Sequence, residues 1–206
     1  MQFETESETE SSAGAPRNSS DAAYSVGSGR YYELGRMRRS ELEAVFLRGS
    51  TPALPSLAGW EFRGMNHPAW ARLAGIKKFV KGFFWEGDAL YGYNCPVVQD
   101  GPTLPWQTKP SDEAPRRFGF YRVEAVDPTA KDNAYLHSVL LDYGKGGNKL
   151  YDPSRGLRDY LVQVDRDNPD LYLGKAYYAV GPLRVATNFF LLERFRKAPG
   201  TIHLPG

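Results

Sequence analysis

From Phe118 onward the chain leaves little freedom in how it folds. Phe118–Val126, Ala134–Tyr143, Leu157–Asp165, Asp170–Val180 and Leu183–Phe195 read as five successive strand-forming runs separated by turn residues. Short extended runs with short connections predict an antiparallel meander. Gly181-Pro182 ties the last two as a hairpin, and the Gly144–Asn148 cluster closes another connection. In Leu183–Phe195 one face carries Val185, Thr187, Phe189 and Leu191 and the other Ala186, Asn188, Phe190 and Leu192, so neither is cleanly polar. Mixed faces of this kind predict a barrel whose outside is partly covered by helices and whose inside is a semi-polar cavity.

Upstream, the pattern changes. Residues 1–30 are dominated by Ser, Thr, Glu, Ala and Gly and read as a disordered acidic tail, leaving 31–206 as a single domain. Ser40 and Glu43 have capping-box spacing ahead of an apolar stripe of Leu42, Val45 and Phe46, with Gly49 and Pro52 as stop signals. Leu57–Gly64 reads as a short first strand. His67-Pro68 opens a second helical signal over 67–81, with Trp70, Leu73, Ile76 and Val80 on its packed side and Lys77, Lys78 and Lys81 in water. Trp85–Asn94 is a further strand candidate. The long Cys95–Arg117 stretch holds Pro96, Pro102, Pro105, Pro110 and Pro115, which exclude a central strand there. A loop of that length, or helix 67–81, is expected to cover one end of the barrel.

Composition narrows the function classes. Glu4, Glu6, Glu8, Glu10 and Asp21 against Arg17 put residues 1–22 at −4, so the rest of the chain carries +6 of a net +2. Arg36, Arg38 and Arg39 are the nearest approach to a basic cluster and read as a solvated turn of helix, so no nucleic-acid partner is expected. Cys95 is the only cysteine, which rules out an intrachain disulfide, a thiolate metal site and a CxxC pair. No apolar run approaches bilayer-spanning length, and Met1 leads into an acidic segment; cytoplasmic residence is the expectation.

The helical N-terminal segment, the Gly59-Trp60 opening of the first strand, the meander and a last strand ending Leu191-Leu192-Glu193-Arg194-Phe195 together resemble the calycins. They are also similar to small uncharacterised bacterial proteins with a GxWxG-type opening. The resemblance spans roughly residues 33–196 and implies an up-and-down lipocalin-like β-barrel. In lipocalins a first-strand Trp packs under an Arg from the last strand, and by that analogy Trp60 and Arg194 are partners. Gly59 directly precedes Trp60, so the GxW spacing itself is not met, and the next glycine is Gly64.

No nucleophile elbow, HExxH, Walker loop or dinucleotide glycine pattern is present. Gly144-Lys145-Gly146-Gly147 lacks the Ser/Thr ending of a phosphate cradle and reads as a hairpin loop. His67, His137 and His203 are far apart in sequence, and no metal or cofactor is expected from their spacing. Asp142 and Asp159 flank turns and read as turn or cap residues. The primary expectation is non-enzymatic binding of a small hydrophobic or amphipathic ligand, with Tyr121, His137, Tyr160, Tyr177 and Phe189 as its contacts. Tyr178 and Phe190 extend the same aromatic set. Two alternatives stay open. One is a calycin-type isomerase, cyclase or dehydratase with His137 as acid or base; as in haem-binding calycins, His137 is also a candidate iron ligand. The other is a partner-binding module using the acidic tail.

Overall fold

The computed structural model describes residues 26–68 and 75–205. Residues 1–25 of the stretch read as acidic tail lie outside them, as do residues 69–74 of the expected helix 67–81. Eight antiparallel strands in sequence order, β1 Trp60–Asn66, β2 Lys78–Glu86, β3 Ala89–Pro96, β4 Phe118–Ala125, β5 Val139–Asp142, β6 Leu157–Gln163, β7 Leu171–Val180 and β8 Leu183–Lys197, form a closed barrel. Closure comes from β8, whose long strand pairs with β7 along one edge and with β1 along the other, Trp60 opposite Lys197 and Asn66 opposite Phe190.

The five C-terminal runs are all strands in meander order, though Ala134–Tyr143 contracts to β5 because residues 136 and 137 form a turn. The largest departure is at 67–81. Residues 78–81 open β2, which pairs with β1 and, through a tight turn at Gly87, with β3. Lys78 and Lys81 are buried at 0% and 2% exposure, where a helix with its basic side in water was expected. They sit on opposite faces of the strand, and each has found partners that offset its desolvation.

Alternation along the strands sorts the core into two layers. Phe62, Phe79, Phe83, Tyr121, Tyr172, Phe190 and Leu192 point into the barrel, while Val80, Phe84, Tyr93, Tyr160, Leu173, Phe189 and Leu191 point outward under the helices and the long loop. Two helices cover the outside. In α1, Gly29–Arg36, Ser28 accepts from the Tyr31 backbone, so the helix starts within the stretch read as tail. In α2, Arg39–Arg48, the first turn is closed by Glu41 accepting from the Arg38 backbone at 2.7 Å, two residues ahead of the expected Ser40–Glu43 box. A single turn, α3 Leu54–Leu57, seals one end with Leu57 fully buried among the interior side chains.

The proline-bearing loop does not cover an end. It straps the outer wall of β1 and β2: Trp106 is fully buried, donates from its indole to the Gly64 carbonyl at 3.2 Å and stacks edge-on with Tyr31. Lys78 is the anchor beneath it. Its ammonium pairs with Asp100, donates to the carbonyls of Gly101, Leu104 and Pro105, and lies 4.7 Å from the Trp106 ring centroid. Further along, Arg196 bridges buried Glu61 at 2.7 Å and loop residue Asp112 at 2.8 Å.

Candidate functional site

The two barrel ends differ in chemistry. At the α3 end, Arg194 lies over the Trp60 ring at 4.4 Å and donates to the carbonyls of Ser56 and Pro169, with Asp170 as its ion-pair partner. This guanidinium ties β8, α3 and the β6–β7 connection together, and the inward side chains near it are sealed: Phe62, Phe83, Leu161, Tyr172 and Leu192 are all at 0% exposure. At the opposite end, from which the β1–β2, β3–β4, β5–β6 and β7–β8 connections emerge and which we call the mouth, the inward-facing Phe79, Asn94, Ala176 and Asn188 keep 7–9% exposure. The interior residues at the mouth thus keep slightly more exposure than those at the α3 end, while Lys81, Tyr121, Tyr143, Asp159 and Phe190 beneath them keep 0–3%.

Three inward glycines make the aromatic packing of this interior work. A Cβ on Gly64 would sit 2.2 Å from the Phe79 ring, one on Gly92 2.3 Å from Tyr121, and one on Gly174 2.1 Å from Phe190. Each ring lies flat on the wall where a glycine leaves room. Together the rings enclose a polar group at the mouth-side end of β2. The Lys81 ammonium is surrounded by Tyr121, Tyr143, Phe190 and Phe79 at centroid distances of 4.6, 5.1, 5.3 and 5.8 Å. It donates to Asn94 Oδ1 at 2.9 Å and to the Tyr143 hydroxyl at 2.5 Å, and Asp159 Oδ2 lies 3.4 Å away. Tyr143 in turn donates to Asp159 Oδ2 at 3.1 Å.

The electrostatics follow from burial. Removal from water raises the Asp159 pKa against the attraction of Lys81, and lowers the Lys81 pKa against the attraction of Asp159. Burial and the neighbouring Asp159 also push the Tyr143 hydroxyl well above its usual value, so it stays a donor. One atom of the cluster is left over. Asp159 Oδ1 is buried and has no hydrogen-bond partner among the described residues, whereas buried carboxylate oxygens ordinarily have one.

The expected ligand contacts do not share one cavity. Tyr121 faces the interior beside Lys81. His137, Tyr160, Tyr177 and Phe189 gather instead on the outer wall beneath α2, around Phe46 and Tyr135. At the centre of that second group Lys175 donates to Glu43 at 2.7 Å and to the Tyr135 hydroxyl at 2.5 Å, while Tyr135 and Tyr177 share a 2.7 Å hydrogen bond. Burial raises the Tyr177 pKa to about 12. His137 lies on a turn, not a strand, and its Nε2 is 3.2 Å from the Phe46 carbonyl oxygen. It thus meets α2, with no hydroxyl or carboxylate among its hydrogen-bond partners in the described residues. Tyr178 bonds to the Pro153 carbonyl at the mouth.

Lys81, Asn94, Tyr143 and Asp159 were not among the expected contacts. Asp142 does cap a turn, accepting from the Gly144 backbone at 2.8 Å, but Asp159 does not; it is an inward strand residue between Leu157 and Leu161. The signal was present as single charges inside apolar alternation, Phe79-x-Lys81-x-Phe83 and Leu157-x-Asp159-x-Leu161. Among the described residues no cluster of His, Cys, Asp and Glu suits a metal ion, and no helix is long and apolar enough to cross a membrane.

No protein-family model matches the chain, and no curated protein matches it either. A crystal structure of a protein from Thermomonospora curvata is similar over 81% of this chain and 95% of that one, at 15% sequence identity and a TM-score of 0.45.

Proposed function

We propose that this is a lipocalin-like binding protein that takes a small amphipathic molecule in the mouth half of the barrel. The observation that carries the reading is Asp159 Oδ1, a buried acceptor without a donor in a cluster whose other groups are paired. A guest with a hydroxyl or amine would supply that donor, and its apolar part would enter beside Phe79, 9% exposed at the mouth, and lie against Phe190. The cluster acts as a binding group: the ammonium of Lys81 already spends donors on Asn94 and Tyr143. Native mass spectrometry of the protein purified from its natural host tests this. A co-purifying small molecule that is lost in Ala176→Trp, which fills the mouth beside Asp159, is the expected result. A bare mass for the parent protein, or a guest retained by the variant, would count against it.

A further inference from the structure

The mouth also has an outer surface. Leu150 and Tyr151, 87% and 81% exposed, crown the β5–β6 connection, and Val180 and Leu183, 54% and 64% exposed, flank the β7–β8 turn. Ile76 precedes β2 and Phe118 opens β4, at 48% and 43%. Single exposed apolar residues are unremarkable on any protein. Here all four connections at one end carry them, while the strand ends and connections at the other end expose Trp85 and Leu136.

Charge divides along the same axis. Lys77 follows Ile76 and Lys149 precedes Leu150; both are exposed, and neither side chain has an ion-pair partner among the described residues. The β5–β6 connection at the mouth carries Lys145, Lys149 and Arg155 against Asp152, whereas the connections at the sealed end carry Asp88, Asp127, Asp132, Asp165, Asp167 and Asp170 against Lys131 and Arg166. A barrel basic and apolar at one end and acidic at the other orients in front of a negatively charged surface. We propose that the mouth rim docks on an anionic lipid bilayer, Leu150 and Tyr151 entering the boundary between headgroups and acyl chains and Lys77 and Lys149 meeting lipid phosphates. The docking surface stands whether or not the interior takes a guest.

Co-sedimentation of the full chain with phosphatidylcholine vesicles, with and without phosphatidylserine, tests this docking. Binding that requires phosphatidylserine, weakens with salt, and falls about tenfold or more in the Leu150→Asp/Tyr151→Asp double variant is expected. Both side chains are exposed, so the variant folds, and a parent-like near-ultraviolet circular dichroism spectrum verifies that. Absence of binding to the phosphatidylserine vesicles, or equal binding by the double variant, would overturn the proposal. So would a dimer in light scattering that the same two substitutions dissociate, since the rim would then belong to a second copy of the chain.

Discussion

Replacing Lys81 with methionine keeps the volume of the side chain and removes only its charge and donors, so it isolates the electrostatics of the barrel interior. The ion-pair atoms are 3.4 Å apart, and the two side chains are 3% and 5% exposed. At an effective dielectric of about 20 that separation corresponds to an attraction of about 5 kcal/mol. Part of it survives in the variant because Tyr143 still donates to Asp159, which places the expected loss near about 3 kcal/mol, at the low end for a buried charge stripped of its partner. The sign of the pH dependence follows from Asp159. Burial has already raised its pKa, and losing Lys81 removes the attraction that opposes that rise. A carboxyl with a raised folded-state pKa contributes most below its unfolded value and loses that contribution as pH climbs through the folded one. The deficit of Lys81→Met relative to the parent therefore widens between about pH 5 and about pH 8. Removing the carboxylate as well, in Lys81→Met/Asp159→Leu, recovers about 2 kcal/mol relative to the sum of the single losses. Urea denaturation of the four proteins at both pH values gives every quantity. A Lys81→Met variant within about 0.5 kcal/mol of the parent, or a deficit flat with pH, would refute the reasoning.

Other consequences are independent of that cluster. Gly174→Ala forces a methyl against the Phe190 ring and is expected to cost about 1–3 kcal/mol, read as a lowered thermal midpoint. Lys78→Met takes the donor from three loop carbonyls and Asp100, so trypsin cuts after Arg116 faster than in the parent; unchanged cleavage would mean that Trp106 alone holds the strap. Burial, helped by the nearby Glu61, pushes the Cys95 thiol up to about 12, so an aromatic disulfide reagent at neutral pH should label it only at the rate of global unfolding. Arg194→Lys keeps a positive charge but cannot reach Asp170, Ser56 and Pro169 at once, and about 1–3 kcal/mol should be lost in denaturant titrations.

The C-terminal meander was legible because its strands are short aromatic and β-branched runs and their turns carry glycine, proline, asparagine or aspartate, signals that are local in sequence. Residues 78–86 were not legible. Lys78 and Lys81 lie three apart, which matches a helical polar face, and what distinguishes a strand here is that each lysine is buried on a different face by partners far away, Asp100 on one side and Asp159 on the other. Periodicity cannot report such pairing, because the partners lie outside any local window. The same limit scattered the expected ligand contacts. Tyr121 and Tyr160 have the same side-chain chemistry, and only the closed sheet decides that the first faces in and the second faces α2. Trp60 and Arg194 lie on the two strands that meet at closure, a tertiary relation that residue spacing does not report.

That closure has a consequence for synthesis. The seam between β1 and β8 joins residues near 60 to residues near 197, so the first strand leaves the ribosome long before its second neighbour exists. Until β8 is complete, the nascent sheet has two open edges, β1 and β7, both lined by apolar side chains and ready to pair with another chain. Truncation before Leu183 removes the strand that occupies both edges, and the expected fate of such a fragment is recruitment by chaperones or aggregation instead of a weakened barrel.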